Sequence, residues 1–185
     1  MSGTANCSEV YSRSPRITFR LGEKVVYPTQ GIGTIENISS RSFGTQVESF
    51  YLLRLSEARM TVMVPFSRVA RVGLRKLTTH GEFAGVLSFL AKGNCTCRRD
   101  WKTRFRENTE KMRGGGLLVV AEVLKSLLLQ QREKPLSFGE KRMLDRARHL
   151  LVTELSISRG LGQYQAVDLL QRALAKAALS LPPEL

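Results

Sequence analysis

Leu77-Thr78-Thr79-His80-Gly81-Glu82-Phe83-Ala84-Gly85-Val86-Leu87-Ser88-Phe89-Leu90 is where the chain changes period. Thr79 and Glu82 have the spacing of a capping box, in which the N-cap hydroxyl and the N3 carboxylate satisfy each other's backbone amides. A helix is therefore predicted to start here with Thr79 as its N-cap. Phe83, Val86, Leu87 and Leu90 then recur at helical spacing. Before this point the chain has strand character. Lys24–Tyr27, Gly33–Ile35, Ser49–Leu53 and Met60–Val64 are short β-branched or aromatic runs, punctuated by Pro28, Gly31, Gly33, Gly44 and Pro65. Within the last run, either both faces are apolar or Met63 faces outward as a contact residue. Strands this short and this closely spaced between Phe19 and Lys76 predict a small barrel of SH3 or Tudor type.

After residue 77 the pattern is helical throughout. A second helix is expected from about Arg98 to Lys111, with Trp101, Phe105 and Met112 on or near one face. Gly114-Gly115-Gly116 should break it. Leu117 to Gln131 is apolar nearly all round and should be the buried central helix. Ser137-Phe138-Gly139-Glu140 is a second capping box, followed by inward positions Met143, Leu144, Ala147, Leu150, Leu151 and Leu155. Tyr164, Val167, Leu170 and Leu174 define a last helix. The predicted class is α+β in two domains. A flexible arm (1–17) precedes the β module (18–76), and a bundle of about five helices (77–180) is followed by a tail (181–185).

The charge is far from neutral. Twenty-nine Lys and Arg against sixteen Asp and Glu give a net +13 and a pI near 10.3. Such an excess favours polyanionic partners, nucleic acid foremost. No apolar run approaches the roughly 20 residues needed to span a bilayer. The amino-terminal residues have no apolar core of a secretory signal. The expectation is a cytoplasmic, nucleoid-associated monomer. Cys7, Cys95 and Cys97 form no disulfide framework, and Cys95-Thr96-Cys97 has no second Cys/His pair nearby to complete a metal site. Gly114-Gly115-Gly116 lacks the Lys-Ser/Thr of a phosphate loop, and Gly31-Ile32-Gly33 lacks the third glycine of a dinucleotide turn. With His80 and His149 apart and no clustered carboxylate pair, the sequence predicts no enzyme, no metal and no cofactor.

Trp101, the only tryptophan, lies in a basic run. Arg98, Arg99, Lys102, Arg104, Arg106, Lys111 and Arg113 face only Asp100, Glu107 and Glu110 as opposing charges. An aromatic ring among cations can wedge or stack against bases while its neighbours hold phosphates. The alternative is a core tryptophan on an amphipathic helix with a solvated basic face.

Phe19-x-Leu21-Gly22-Glu23-Lys24-Val25-Val26-Tyr27-Pro28-x-x-Gly31-x-Gly33 resembles the start of the CarD/CdnL bacterial transcription regulators. Their N-terminal module is shared with the polymerase-interacting domain of the transcription-repair coupling factor. The likeness continues through Tyr51-Leu52-Leu53, Val62-Met63-Val64-Pro65 and Val72-Gly73-Leu74-Arg75. It then runs through Trp101-x-x-Arg104-Phe105-Arg106-Glu107-Asn108-x-Glu110-Lys111, Ala121-Glu122-Val123-Leu124 and Leu136-Ser137-x-Gly139-Glu140-Lys141-Arg142-Met143-Leu144. The resemblance implies a Tudor-like barrel that binds the β subunit of bacterial RNA polymerase. It also implies a helical domain that contacts promoter DNA just upstream of the melted region. By match, Trp101 enters the minor groove at the bubble edge. Arg104, Arg106 and Lys141 contact phosphates, with Lys102 in the same basic set. Arg41 and Phe43 contact polymerase. Where some members carry a second polymerase-contacting arginine, this chain has Met63. The function so implied is a regulator that stabilises the open promoter complex. The alternative is a free-standing architectural or nucleoid DNA-binding protein.

Overall fold

A computed structural model describes residues 18–43, 46–56, 59–95 and 101–183. The arm expected over 1–17 lies outside them, as do Cys97 and residues 98–100 of the basic run. Strands β1 (Lys24–Tyr27), β2 (Gly31–Phe43), β3 (Gln46–Leu55), β4 (Thr61–Pro65) and β5 (Arg75–Lys76) form one antiparallel sheet, in the order β4-β3-β2-β1-β5. A 3-10 turn (Phe66–Arg68) and a single turn of helix, α1 (Val69–Val72), lead from β4 to β5. Five helices follow among the described residues: α2 (His80–Lys92), α3 (Trp101–Gly114), α4 (Leu117–Glu133), α5 (Phe138–Arg159) and α6 (Gln163–Ala175).

The local signals act where the sequence placed them. In both capping boxes the N-cap hydroxyl accepts from the N3 amide and the N3 carboxylate accepts from the N-cap amide, at Thr79/Glu82 and at Ser137/Glu140. Gly114 ends α3, and Gly116 is the N-cap of α4. One expectation is revised. β2 and β3 run far beyond the short apolar segments, as a ribbon through Ser39–Ser42 whose register holds from Ser39↔Phe50 to Phe43↔Gln46. The ribbon leaves the core, so its side chains carry no alternating signal. Ser40 and Ser49 join across it by a 2.9 Å hydroxyl hydrogen bond, and Val47 is exposed. On α6 the buried positions are Ala166, Leu170, Ala173 and Leu174, while Tyr164 is 93% exposed. The small alanines sit inside because α6 packs closely, and the larger tyrosine falls on the outer side.

Each module has its own core, and the two cores meet. Phe19, Val25, Ile35, Tyr51, Leu53, Leu55, Val64 and Leu74 fill the sheet side. The Tyr51 ring stacks on Phe66 at 4.1 Å, and its hydroxyl accepts the Phe19 amide at 3.2 Å. The helical core is built on α4, buried from Leu117 to Gln130 on most of its circumference. One polar member of α4, Lys125, donates to the Phe89 and Leu90 carbonyls at 3.0 and 2.6 Å and so satisfies the end of α2. Burial pushes its ammonium pKa down. Val26 and Ile32 belong to the helical cluster although they lie on β1 and β2. Alternation along β1 thus sends Val25 into one core and Val26 into the other.

Polar contacts complete this boundary. Arg75 on β5 grips Glu154 of α5 with both terminal nitrogens, at 2.7 and 2.8 Å. Glu154 is fully buried and also accepts the Thr78 amide at 2.7 Å. Ser158 donates to the Thr78 carbonyl at 2.8 Å, and Arg146 donates to the Pro28 carbonyl at 3.0 and 3.2 Å. Gly73 adopts φ 74°, and a β-carbon there would lie 1.9 Å from the Arg113 carbonyl oxygen. Only glycine meets both demands where the end of α3 reaches the sheet module. Among the described residues no helix is long and apolar enough to cross a membrane.

Removing one partner of a buried ion pair strands the other charge, which typically costs about 3–5 kcal/mol. Glu154→Ala is expected to destabilise the fold by about that amount in urea unfolding. A loss below about 1 kcal/mol would show that the pair does not hold the modules together.

Candidate nucleic-acid interface and docking face

Trp101 is the first residue of α3. The expectation for its indole lies outside what is described, because the Trp101 side chain is not among the described residues. The rest of the helix shows its orientation. Asn108 and Met112 are buried against the bundle, at 6% and 9% exposure, and Phe105 is half-buried. Lys102 and Arg106, one turn apart, are exposed. Both cations are therefore available on the outer side of the turn that begins at Trp101.

Arg104 is placed otherwise. Its side chain is 12% exposed, and Nη2 donates to Glu140 Oε1 at 2.9 Å. The same oxygen accepts from Gln130 Nε2 at 3.0 Å. The other carboxylate oxygen accepts the Ser137 amide and hydroxyl at 3.0 and 2.8 Å. Glu140 thus joins three helices: it caps α5, receives Arg104 from α3 and receives Gln130 from α4. Burial by itself raises the Glu140 pKa. The hydrogen bonds from Arg104, Ser137 and Gln130 outweigh it and hold the carboxyl at about 2. The resemblance gives Arg104 a phosphate-contacting role; here its guanidinium pairs with Glu140, so its charge balances a buried carboxylate.

This network brings the first turn of α5 against α3. Gly139 faces Phe105 so closely that a β-carbon there would lie 3.1 Å from the ring. Lys141 is exposed on that turn, beside Arg142 and Phe138. Lys102, Arg106, Lys141 and Arg142 therefore decorate two adjoining helix ends tied at Arg104–Glu140. Phe138 and Arg142 were not singled out from the sequence. Phe138 stood inside the capping box but not among its hydrogen-bonding members, and Arg142 lay just beyond it in the family-like run with no role attached.

The expected polymerase contacts lie on the sheet. Arg41 of β2 is exposed and sits opposite Glu48 of β3. Met63 of β4 is 36% exposed and sits opposite Leu52. Directly opposed residues share a sheet face, as do alternate residues on one strand. Glu48, Phe50 and Leu52 therefore connect Arg41 and Met63 on a single face, offset by four residues, about 13 Å along β3. Position 43 is two residues beyond Arg41 on β2, in register with Gln46; the Phe43 side chain lies outside the described residues. Val62 and Val64, on the other face, pack into the sheet core, so Met63 faces outward. β4 is an edge strand, which leaves one side of this face open to a partner.

Comparison with known proteins covers both modules. The family model described as CarD-like/TRCF RID domain matches residues 19–78. The model described as CarD, C-terminal domain, matches residues 85–171. A Bacillus subtilis (strain 168) protein named "Putative transcription factor YdeB" is 33% identical over 147 residues, which cover 80% of this chain and 96% of that protein.

The Glu140 carboxyl releases its proton more readily folded than unfolded, where its value is near 4.5. Its contribution to stability is therefore complete above about pH 4.5 and is lost as the pH falls towards 2. In urea titrations at stepped pH, the parent should lose stability across that window more steeply than Glu140→Gln, so the gap between them narrows. Parallel curves would exclude this carboxylate as the acid-sensitive group.

Proposed function

The chain belongs to the CarD-like family, and we propose that it regulates transcription by docking on the RNA polymerase β subunit through its sheet and stabilising the open promoter complex through its helices. Arg41, Phe43 and Met63 form the docking set. Trp101 is the wedge at the upstream edge of the bubble, and Lys102, Arg106 and Lys141 hold phosphates. Arg104 acts through Glu140 as a positioning residue that fixes α3 against α5.

The reading is carried by one observation. A sheet face on which Arg41 and Met63 are exposed, and an exposed cationic cluster, belong to a single packed body, and family models match both modules. Melting is a balance between closed and open complexes, which a protein shifts only by binding the two states unequally. Docking raises the local concentration of the helical module at the fork. The lysines and arginines attract either state through phosphates. Trp101 supplies the difference, since the kinked step it enters belongs to the open state.

No ATP is required. An aromatic–base contact is worth about 1–3 kcal/mol, enough to shift the balance roughly 5- to 150-fold. Trp101→Ala is therefore expected to shorten open-complex lifetime by a factor in that range while polymerase capture stays intact. An unchanged lifetime in a folded variant would rule out the wedge. Arg41→Glu should abolish co-purification with the β subunit without altering the unfolding transition. Undiminished capture would move the docking surface off this face.

A further inference from the structure

Phe138 is the first residue of α5 and is 76% exposed. The cap needs nothing from it, since Ser137 and Glu140 carry both capping hydrogen bonds. One side of its ring is occupied: the Arg142 guanidinium lies over it, 5.8 Å from the centroid. That distance is within the range of a cation–π contact. Lys141 is exposed on the same turn, and Lys102 and Arg106 stand on the adjoining end of α3. Gly139, the next residue, abuts Phe105, which lies one turn along from Trp101. No other described side chain on α3 or α5 is both large, apolar and exposed. Arg142 covers one side of the ring and Lys141 stands on the same turn, so the described surroundings of the ring on α5 are cationic rather than an apolar patch of the kind a protein partner would cover.

The geometry points to Phe138, backed by Arg142, as a stacking platform for an unpaired base of melted DNA. Every base has a π-face, so such a platform tolerates any sequence, and surrounding cations follow the strand. A closed duplex keeps its base faces covered by their neighbours, so only a separated strand offers one. This deepens the DNA-contacting role proposed above and rests on it: the chain would hold the fork at two aromatic points, one on each adjoining helix end.

The test titrates the full chain at low salt against a labelled fork that carries 2-aminopurine at successive unpaired positions, with blunt duplex as the comparison. Phe138→Ala should weaken fork binding about 5- to 150-fold, the loss expected of one base–aromatic stack. It should leave duplex binding unchanged and remove the 2-aminopurine quenching that the parent produces. Phe138→Leu should behave like Phe138→Ala, and Phe138→Trp should keep the quenching. Unfolding transitions should match the parent, since the ring is exposed. If Trp101→Ala loses fork affinity and Phe138→Ala does not, the platform is overturned and the wedge stands. Equal losses on fork and duplex also overturn stacking. If the parent does not bind the fork, or both variants bind it as the parent does, the platform falls together with the reading beneath it.

Discussion

Glu154 is a carboxylate with no exposed surface, and the relation between the two modules depends on how it is satisfied. Arg75 comes from the last strand of the sheet and Thr78 from the link just beyond it, so one buried charge fixes both the end of the β module and the start of the bundle. The apolar contacts around it, Val26 and Ile32 on one side and Leu77 on the other, are non-directional and would tolerate sliding. The fork geometry of Arg75 on Glu154 would not. Hydrophobic burial joins the modules, and the ion pair selects one orientation.

A second buried carboxylate repeats the device inside the bundle. Glu140 gathers α3, α4 and α5 at one point, and it needs a cation drawn from the basic run to do so. The net charge of +13 is therefore not all displayed. Part of it is turned inward to balance acidic groups that organise the fold, and the exposed remainder is shaped by where those groups lie. Lys102 and Arg106 project as they do because Arg104, between them, is held from below.

Features governed by short-range chemistry were legible in the sequence. Both capping boxes, the Gly114–Gly116 break and the buried α4 follow from spacing alone, because each depends on neighbours within a turn; for Met63 spacing left two readings, and the structure selects the outward one. What the sequence hid depends on long-range placement. The β2–β3 ribbon beyond Ile35 has no apolar alternation, since little of it enters a core, and Ser40–Ser49 pairing leaves no mark on hydropathy. On α6, the spacing of Tyr164, Val167, Leu170 and Leu174 marked the helix but not its buried face, which Ala166 and Ala173 share with Leu170 and Leu174. Arg104 read as one more cation until its partner, thirty-six residues away, was known. Phe138 read as part of a cap, and only its exposure beside Arg142 separates it from that role.

The continuous packing between sheet and bundle has a consequence for geometry on DNA. Under the proposed docking, a body anchored at one end and packed continuously through its described residues would work as a gauge of fixed length. DNA is a screw: each base pair advances the groove by about 3.4 Å and turns it by about a tenth of a revolution. A bubble whose upstream border shifts by a single step presents its groove at a different height and azimuth to the same tip. On that reading, selectivity among promoters would arise from phase alone, with no base edge read at all.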